Sequence, residues 1–94
     1  KSGFFYSYDY LIQRTKNKPE RLCKAINNPN RQNFQSTMFM WNDTKETRNT
    51  DSNLIVFLND AERIEPSVIE GFKNYNVTTI PWSNRKDYLY MLTA

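Results

Sequence analysis

Ninety-four residues with 38% hydrophobic and 15% aromatic content suit one folded domain, because so short a chain builds a single core and buries roughly two-thirds of its unfolded surface. The formal charge of +3, from 13 Lys plus Arg against 10 Asp plus Glu, is too small to favour a disordered polyelectrolyte. His is absent and Cys occurs once, which excludes within this chain a disulfide framework, a Cys/His zinc site, a Ser-His-Asp triad and a Cys-His nucleophile.

Taken from the amino end, Gly3 to Tyr8 predicts an aromatic strand, and Tyr10, Leu11 and Ile12 either extend it or begin a helix. Asn17 followed by Glu20 has the form of a capping box. Pro19, Leu22, Cys23 and Ile26 then fall at i, i+3, i+4 and i+7, which predicts a helix. Asn27 to Asn33 is a turn-rich stop. Ser36 to Trp41 predicts a strand, with Met38 and Met40 on one face and Phe39 and Trp41 on the other. Asn42 to Asn53 carries no apolar side chain and predicts a long solvated loop or the tip of a hairpin.

The second half reads more sharply. Leu54 to Leu58 is a continuous run of apolar residues, suited to a strand covered on both faces. Asn59 and Asp60 end it, and Pro66 can open a helix whose apolar stripe is Val68, Ile69 and Phe72. Asn74 or Asn76 can take the left-handed conformation that stops a helix. Val77 to Ile80 has the β-branched composition of a second strand, which Pro81 closes. Ser83 or Asn84 can cap a last helix carrying Tyr88, Leu89 and Leu92. The fold expected is a single α/β or α+β domain spanning 1–94. It has about four strands and three helices in the order β-α-β-β-α-β-α, and its C-terminal half forms a parallel β-α-β unit. Ile55, Phe57, Val68, Ile69, Phe72 and Ile80 are expected to share one core.

Charge is unevenly divided. Residues 1–50 hold nine Lys plus Arg against four Asp plus Glu, whereas residues 51–94 hold four against six. Arg14, Lys16, Lys18, Arg21 and Lys24, with Arg31, Lys45 and Arg48 on later segments, can face phosphates. Tyr10 and Trp41, with Tyr6, Tyr8 and Phe34, are the aromatics available for base stacking among them. The plainer alternative makes the cations a solvated face and the aromatics core. Asp9 and Asp60 follow two expected strands and are weak candidates to share a divalent cation. They form no motif, and Gly3 and Gly71, the two glycines, provide no phosphate loop. No metal or cofactor is expected. Trp82 is expected to close the core rather than present an exposed anchor to a partner, and Cys23 to pack as a small hydrophobe.

The leading expectation is therefore a small non-catalytic accessory or regulatory domain that binds nucleic acid through its N-terminal half. A protein-binding regulator or inhibitor is the alternative, and a metal-dependent phosphoryl-transfer enzyme is third. No run approaches the ~18 to 20 apolar residues of a membrane span, and the amino terminus lacks the apolar core of a signal peptide. With its lone thiol the chain reads as intracellular and cytoplasmic, with no membrane partner. Its first residue is Lys, which reads as a processed end, a trimmed end or the start of a domain cut from something longer. Asn, Lys, Ile, Phe and Tyr make up 37 of the 94 residues, and their A/T-rich codons point to a low-GC bacterium or one of its phages.

Overall fold

A computed structural model describes residues 8–47 and 51–88. One four-stranded sheet, in the order β1-β2-β3-β4, comprises β1 (Tyr10–Ile12), β2 (Arg21–Ile26), β3 (Asn53–Leu58) and β4 (Thr78–Pro81). Helix α1 (Arg31–Lys45) joins β2 to β3, and α2 (Pro66–Asn74) joins β3 to β4. A 3₁₀ turn at Trp82–Asn84 runs on helically through residues 85–88 and makes the third helical segment. Strands β2, β3 and β4 are parallel, and β1 pairs antiparallel with the outer edge of β2.

Both crossovers step the same way across the sheet, so helices of one hand fall on one face. There α1 and α2 touch each other, and the Phe34 and Phe72 rings meet edge to face at 4.8 Å. Leu22, Ile26, Leu54, Val56 and Leu58 point from the strands into this layer, against Met38, Trp41, Val68 and Phe72 from the helices. The opposite parity of the same strands supplies Cys23, Ile55, Phe57 and Ile80 to a second cluster, with Ile12 and Ala25 beside it. The expected single core is thus two clusters separated by the sheet. Ile69 belongs to neither, being 37% exposed on the outer side of α2.

The C-terminal parallel unit forms as its local signals require. Pro66 stands in the first turn of α2. Asn76 adopts φ 61°, and the Val77 N–H donates to the Phe72 carbonyl at 2.9 Å while that of Asn76 donates to Lys73 at 3.0 Å. These two bonds are the Schellman closure of a helix, sealed by the buried pair Phe72 and Val77.

The N-terminal half corrects the expected element order to β-β-α-β-α-β followed by the helical turn. The helix expected around Leu22, Cys23 and Ile26 is strand β2, because both faces of this inner strand are covered and apolar residues of either parity are buried. The strand expected at Ser36 to Trp41 is the middle of α1. Phe34, Thr37, Met38, Trp41 and Thr44 carry the helical period across a longer window than the short Met/Phe alternation. Asn30 caps α1, its side-chain oxygen accepting the Asn33 N–H at 2.8 Å. The expected loop from Asn42 to Asn53 is shortened at both ends, since α1 runs to Lys45 and β3 starts at Asn53. Thr44 is buried there because its hydroxyl donates to the Met40 carbonyl at 2.8 Å and also meets the Tyr8 hydroxyl at 2.7 Å. Tyr10, Leu11 and Ile12 form β1. Residues 3–7 of the expected strand at Gly3 to Tyr8, and residues 89–94 of the final helix, lie outside the described residues, and Tyr8 itself is not in a strand.

Candidate functional site

Parallel strands give the sheet two unlike ends, and the connections distribute the charged residues between them. At the amino ends of β2 and β3 lie the turn that carries Lys16 and Lys18 and the last turn of α1. That turn is closed by the Thr15 N–H to the Lys18 carbonyl at 2.9 Å and by the Lys18 N–H to Thr15 Oγ1 at 3.1 Å. Arg14 pairs with Asp51, whose carboxyl is held below its usual range by the guanidinium hydrogen bond. Lys45 stands over the Trp41 ring, 5.9 Å from its centroid.

The carboxyl ends of β2, β3 and β4 form the other edge, where open α/β sheets bind ligands. Three hollows meet there, all bordered by Asn27. The largest, of about 810 Å³, runs between the end of β2 and α1 past Lys24, Asn33, Thr37 and Met40. A second, of about 270 Å³, lies among Ala25, Ile26, Asn27, Phe57, Asn59 and Trp82. The third, of about 410 Å³, extends past Asn28, Pro29, Glu62 and Arg63.

Asparagines build this edge. The Asn59 amide donates to the Asn27 carbonyl at 2.9 Å, its own oxygen accepts the Ala61 N–H at 3.0 Å, and Asn33 donates to the Asn28 carbonyl at 2.6 Å. These bonds satisfy turn backbone that neither strand nor helix can pair. Trp82 is 41% exposed, so the expectation that it closes the core is met only on the side where its ring meets Phe57 edge to face at 6.2 Å. Arg85 lies over the indole at 4.3 Å and donates to the Trp82 carbonyl at 2.9 Å, which fixes the ring.

Both candidate carboxylates stand at this edge, Asp9 because it precedes the antiparallel β1 and Asp60 because it follows β3. Asp9 accepts the Ala25 N–H at 2.7 Å, extending the pairing of β2 beyond β1. Asp60 accepts from the Ser83 hydroxyl at 2.6 Å and from its N–H at 3.2 Å, tying the end of β3 to the turn after β4. The Ser83 hydroxyl bond holds the Asp60 carboxyl below its usual range. Each carboxylate thus has a structural bond of its own, and among the described residues no group of three or more Cys, Asp or Glu is placed to hold a metal ion.

The ten residues expected to contact nucleic acid do not share one surface. Arg14, Lys16, Lys18 and Lys45 gather at the amino edge, whereas Lys24 and Arg31 stand at the carboxyl edge. Tyr10 is exposed on β1. Arg21 is buried, its Nε donating to the Pro19 carbonyl at 3.1 Å. Trp41 is 3% exposed and belongs to the core under α1, so it offers no stacking platform. Arg48 lies outside the described residues. Arg63 and Arg85, which are not among the expected contacts, follow β3 and β4 and so stand at the same edge as Lys24 and Arg31. The available signal was their position just after β3 and β4, at the edge that already held Asp60 and Ser83.

Among the described residues this arrangement defines an α/β domain, with three parallel strands, one antiparallel edge strand, two helices on one face and hollows of mixed apolar and polar lining along the carboxyl edge. The chain belongs to the family described as a domain of unknown function, DUF1829, which it matches over residues 1–85. No curated protein and no solved structure matches it. Among the described residues no helix is long and apolar enough to cross a membrane.

Proposed function

We propose that this protein is a non-catalytic nucleic-acid-binding domain that holds a single-stranded segment along the hollows at the carboxyl edge. The observation that carries the reading is the meeting of three hollows at Asn27, beside an exposed and rigidly held Trp82. Hollows that share a bordering residue suit successive units of one chain, and an exposed indole suits bases, since every base has a face to stack. Lys24, Arg31, Arg63 and Arg85 serve the phosphates. Asp9, Asp60 and Glu62 stand at the same edge and offset part of that attraction, so stacking carries more of the affinity than charge.

The test is a salt titration of binding to short single-stranded oligonucleotides. Each phosphate contact adds roughly 0.7 to the log-log salt slope on single strands, so four cations support a slope of no more than about 3. Replacing Lys24, Arg31, Arg63 and Arg85 together by Gln should weaken binding to unrelated sequences alike. Replacing Arg14, Lys16, Lys18 and Lys45 should leave the affinity within about twofold. Wild-type binding no tighter than ~10⁻⁴ M at physiological salt, the weak end of non-specific association, would overturn the reading.

A protein partner is the second reading, favoured by Tyr10 and Leu11, which are 51% and 49% exposed on the short edge strand β1. Such an edge recruits an extended segment of another chain by strand addition. Loss of a partner on Leu11→Lys, with oligonucleotide binding unchanged, would distinguish it.

A further inference from the structure

We infer that the hollow between β2, β3 and Trp82 is a subsite for one unstacked heteroaromatic base. The inference deepens the nucleic-acid reading and rests on it for the polymeric source of that base. The hollow holds about 270 Å³, below the roughly 300–1,000 Å³ of pockets that enclose drug-sized molecules. That space takes a single planar ring system and excludes a stacked pair. Phe57 and Trp82 supply aromatic surface on one side, and Ala25 and Ile26 close the end of β2.

Arg85 covers the indole but does not line the hollow, so the guanidinium leaves the hollow's side of Trp82 to a ligand. Polar specificity comes from Asn27. Its side-chain oxygen accepts from the Asn59 amide at 3.3 Å, which fixes the orientation of the carboxamide. Its amide N–H groups have no protein acceptor among the described residues and can donate to a ring nitrogen or carbonyl on the base edge. Asn59 is itself held at both ends, by Asn27 and Ala61, so this wall is formed before a ligand arrives. The same chemistry is available to a base within a strand and to a free nucleotide.

The experiment compares a short oligodeoxyadenylate, an abasic strand of the same length and adenosine monophosphate on the full chain, reading affinity and tryptophan fluorescence. Of the two tryptophans, Trp41 is buried, so quenching reports Trp82. We expect the intact strand to bind about tenfold or more tightly than the abasic strand and to quench the emission. Trp82→Phe, which keeps an aromatic contact with Phe57, should abolish the quenching, and Asn27→Ala should weaken only the intact strand. Equal binding of intact and abasic strands without quenching would overturn the base subsite while leaving the nucleic-acid reading in place. If neither strand binds but the mononucleotide quenches Trp82, the subsite stands for a free nucleotide and the polymer reading falls. Absence of quenching with all three probes overturns the subsite outright.

Discussion

Gly71 of α2 lies against the Phe34 ring of α1. A Cβ built on it would lie 2.7 Å from Phe34 Cζ and 2.9 Å from Cε1, inside van der Waals contact, while the same ring is held edge to face against Phe72. On propensity alone Gly71→Ala should stabilise a helix by about 1 kcal/mol. We expect it to destabilise the protein instead, and to recover stability in the double variant with Phe34→Leu, as read by urea unfolding. Phe72 is fully buried, so Phe72→Ala should cost about 3–5 kcal/mol. Ile69→Ala, on the exposed side of the same helix, should stay below about 1 kcal/mol. Equal losses at the two positions would mean that α2 presents a different face. Cys23 is buried, and burial is the main cause that pushes its thiol above the ordinary value, with Arg21 opposing and Asp9 adding to the shift. The native protein should therefore resist an aromatic disulfide reagent at neutral pH and react once unfolded.

Both helices depend on asparagines at their ends, for different reasons. Asn30 accepts an N–H that the first turn of α1 leaves unpaired, and Asn30→Ala should cost about 1 kcal/mol. Asn76 is needed for its backbone, since φ 61° strains any residue with a branched Cβ. Asn76→Gly should be tolerated and Asn76→Val should not, a difference that thermal unfolding will resolve. These two asparagines differ in how visibly they announce themselves. Asn76 follows a clear amphipathic helix and was legible, with Asn74, as one of two possible stops, whereas Asn30 sits within Asn27-Asn28-Pro29-Asn30, where any of three asparagines can cap. Only the position of β2 selects among them.

Across the whole molecule, several carboxylates link distant segments, and two of them have lowered pKa values. Asp51 is paired with Arg14 across the amino edge, and Asp60 is bonded to Ser83 across the carboxyl edge. Both have folded-state pKa values below the usual carboxylate range. Their contribution to stability is complete above the unfolded-state pKa and disappears as pH falls through the lowered folded-state value. Stability should accordingly decline on acidification over that window, and Asp60→Asn should flatten the decline when denaturation midpoints are compared along a pH series. An unchanged profile would mean that Ser83 does not favour the ionised form.

The sequence by itself determined the parallel unit from β3 to β4, because each of its signals is local: a run of apolar residues too continuous for a half-solvated strand, Pro66 in a first turn, and an asparagine at a left-handed stop. Tertiary structure alone decided that Leu22 to Ile26 is a strand and Ser36 to Trp41 a helix. In segments this short, periods of 2 and 3.6 select nearly the same apolar residues, and burial on both faces of β2 erases the alternation that would separate them. The candidate site was divided in the same way. Asp60 and Ser83 could be placed at one edge from the order of strands, but the cations of the first half could not, since α1 carries Arg31 and Lys45 about 20 Å apart to opposite ends of the sheet. Trp41 was decided by packing, because an indole that can stack on a base is equally suited to fill a core, and the face of α1 that meets the sheet claims it.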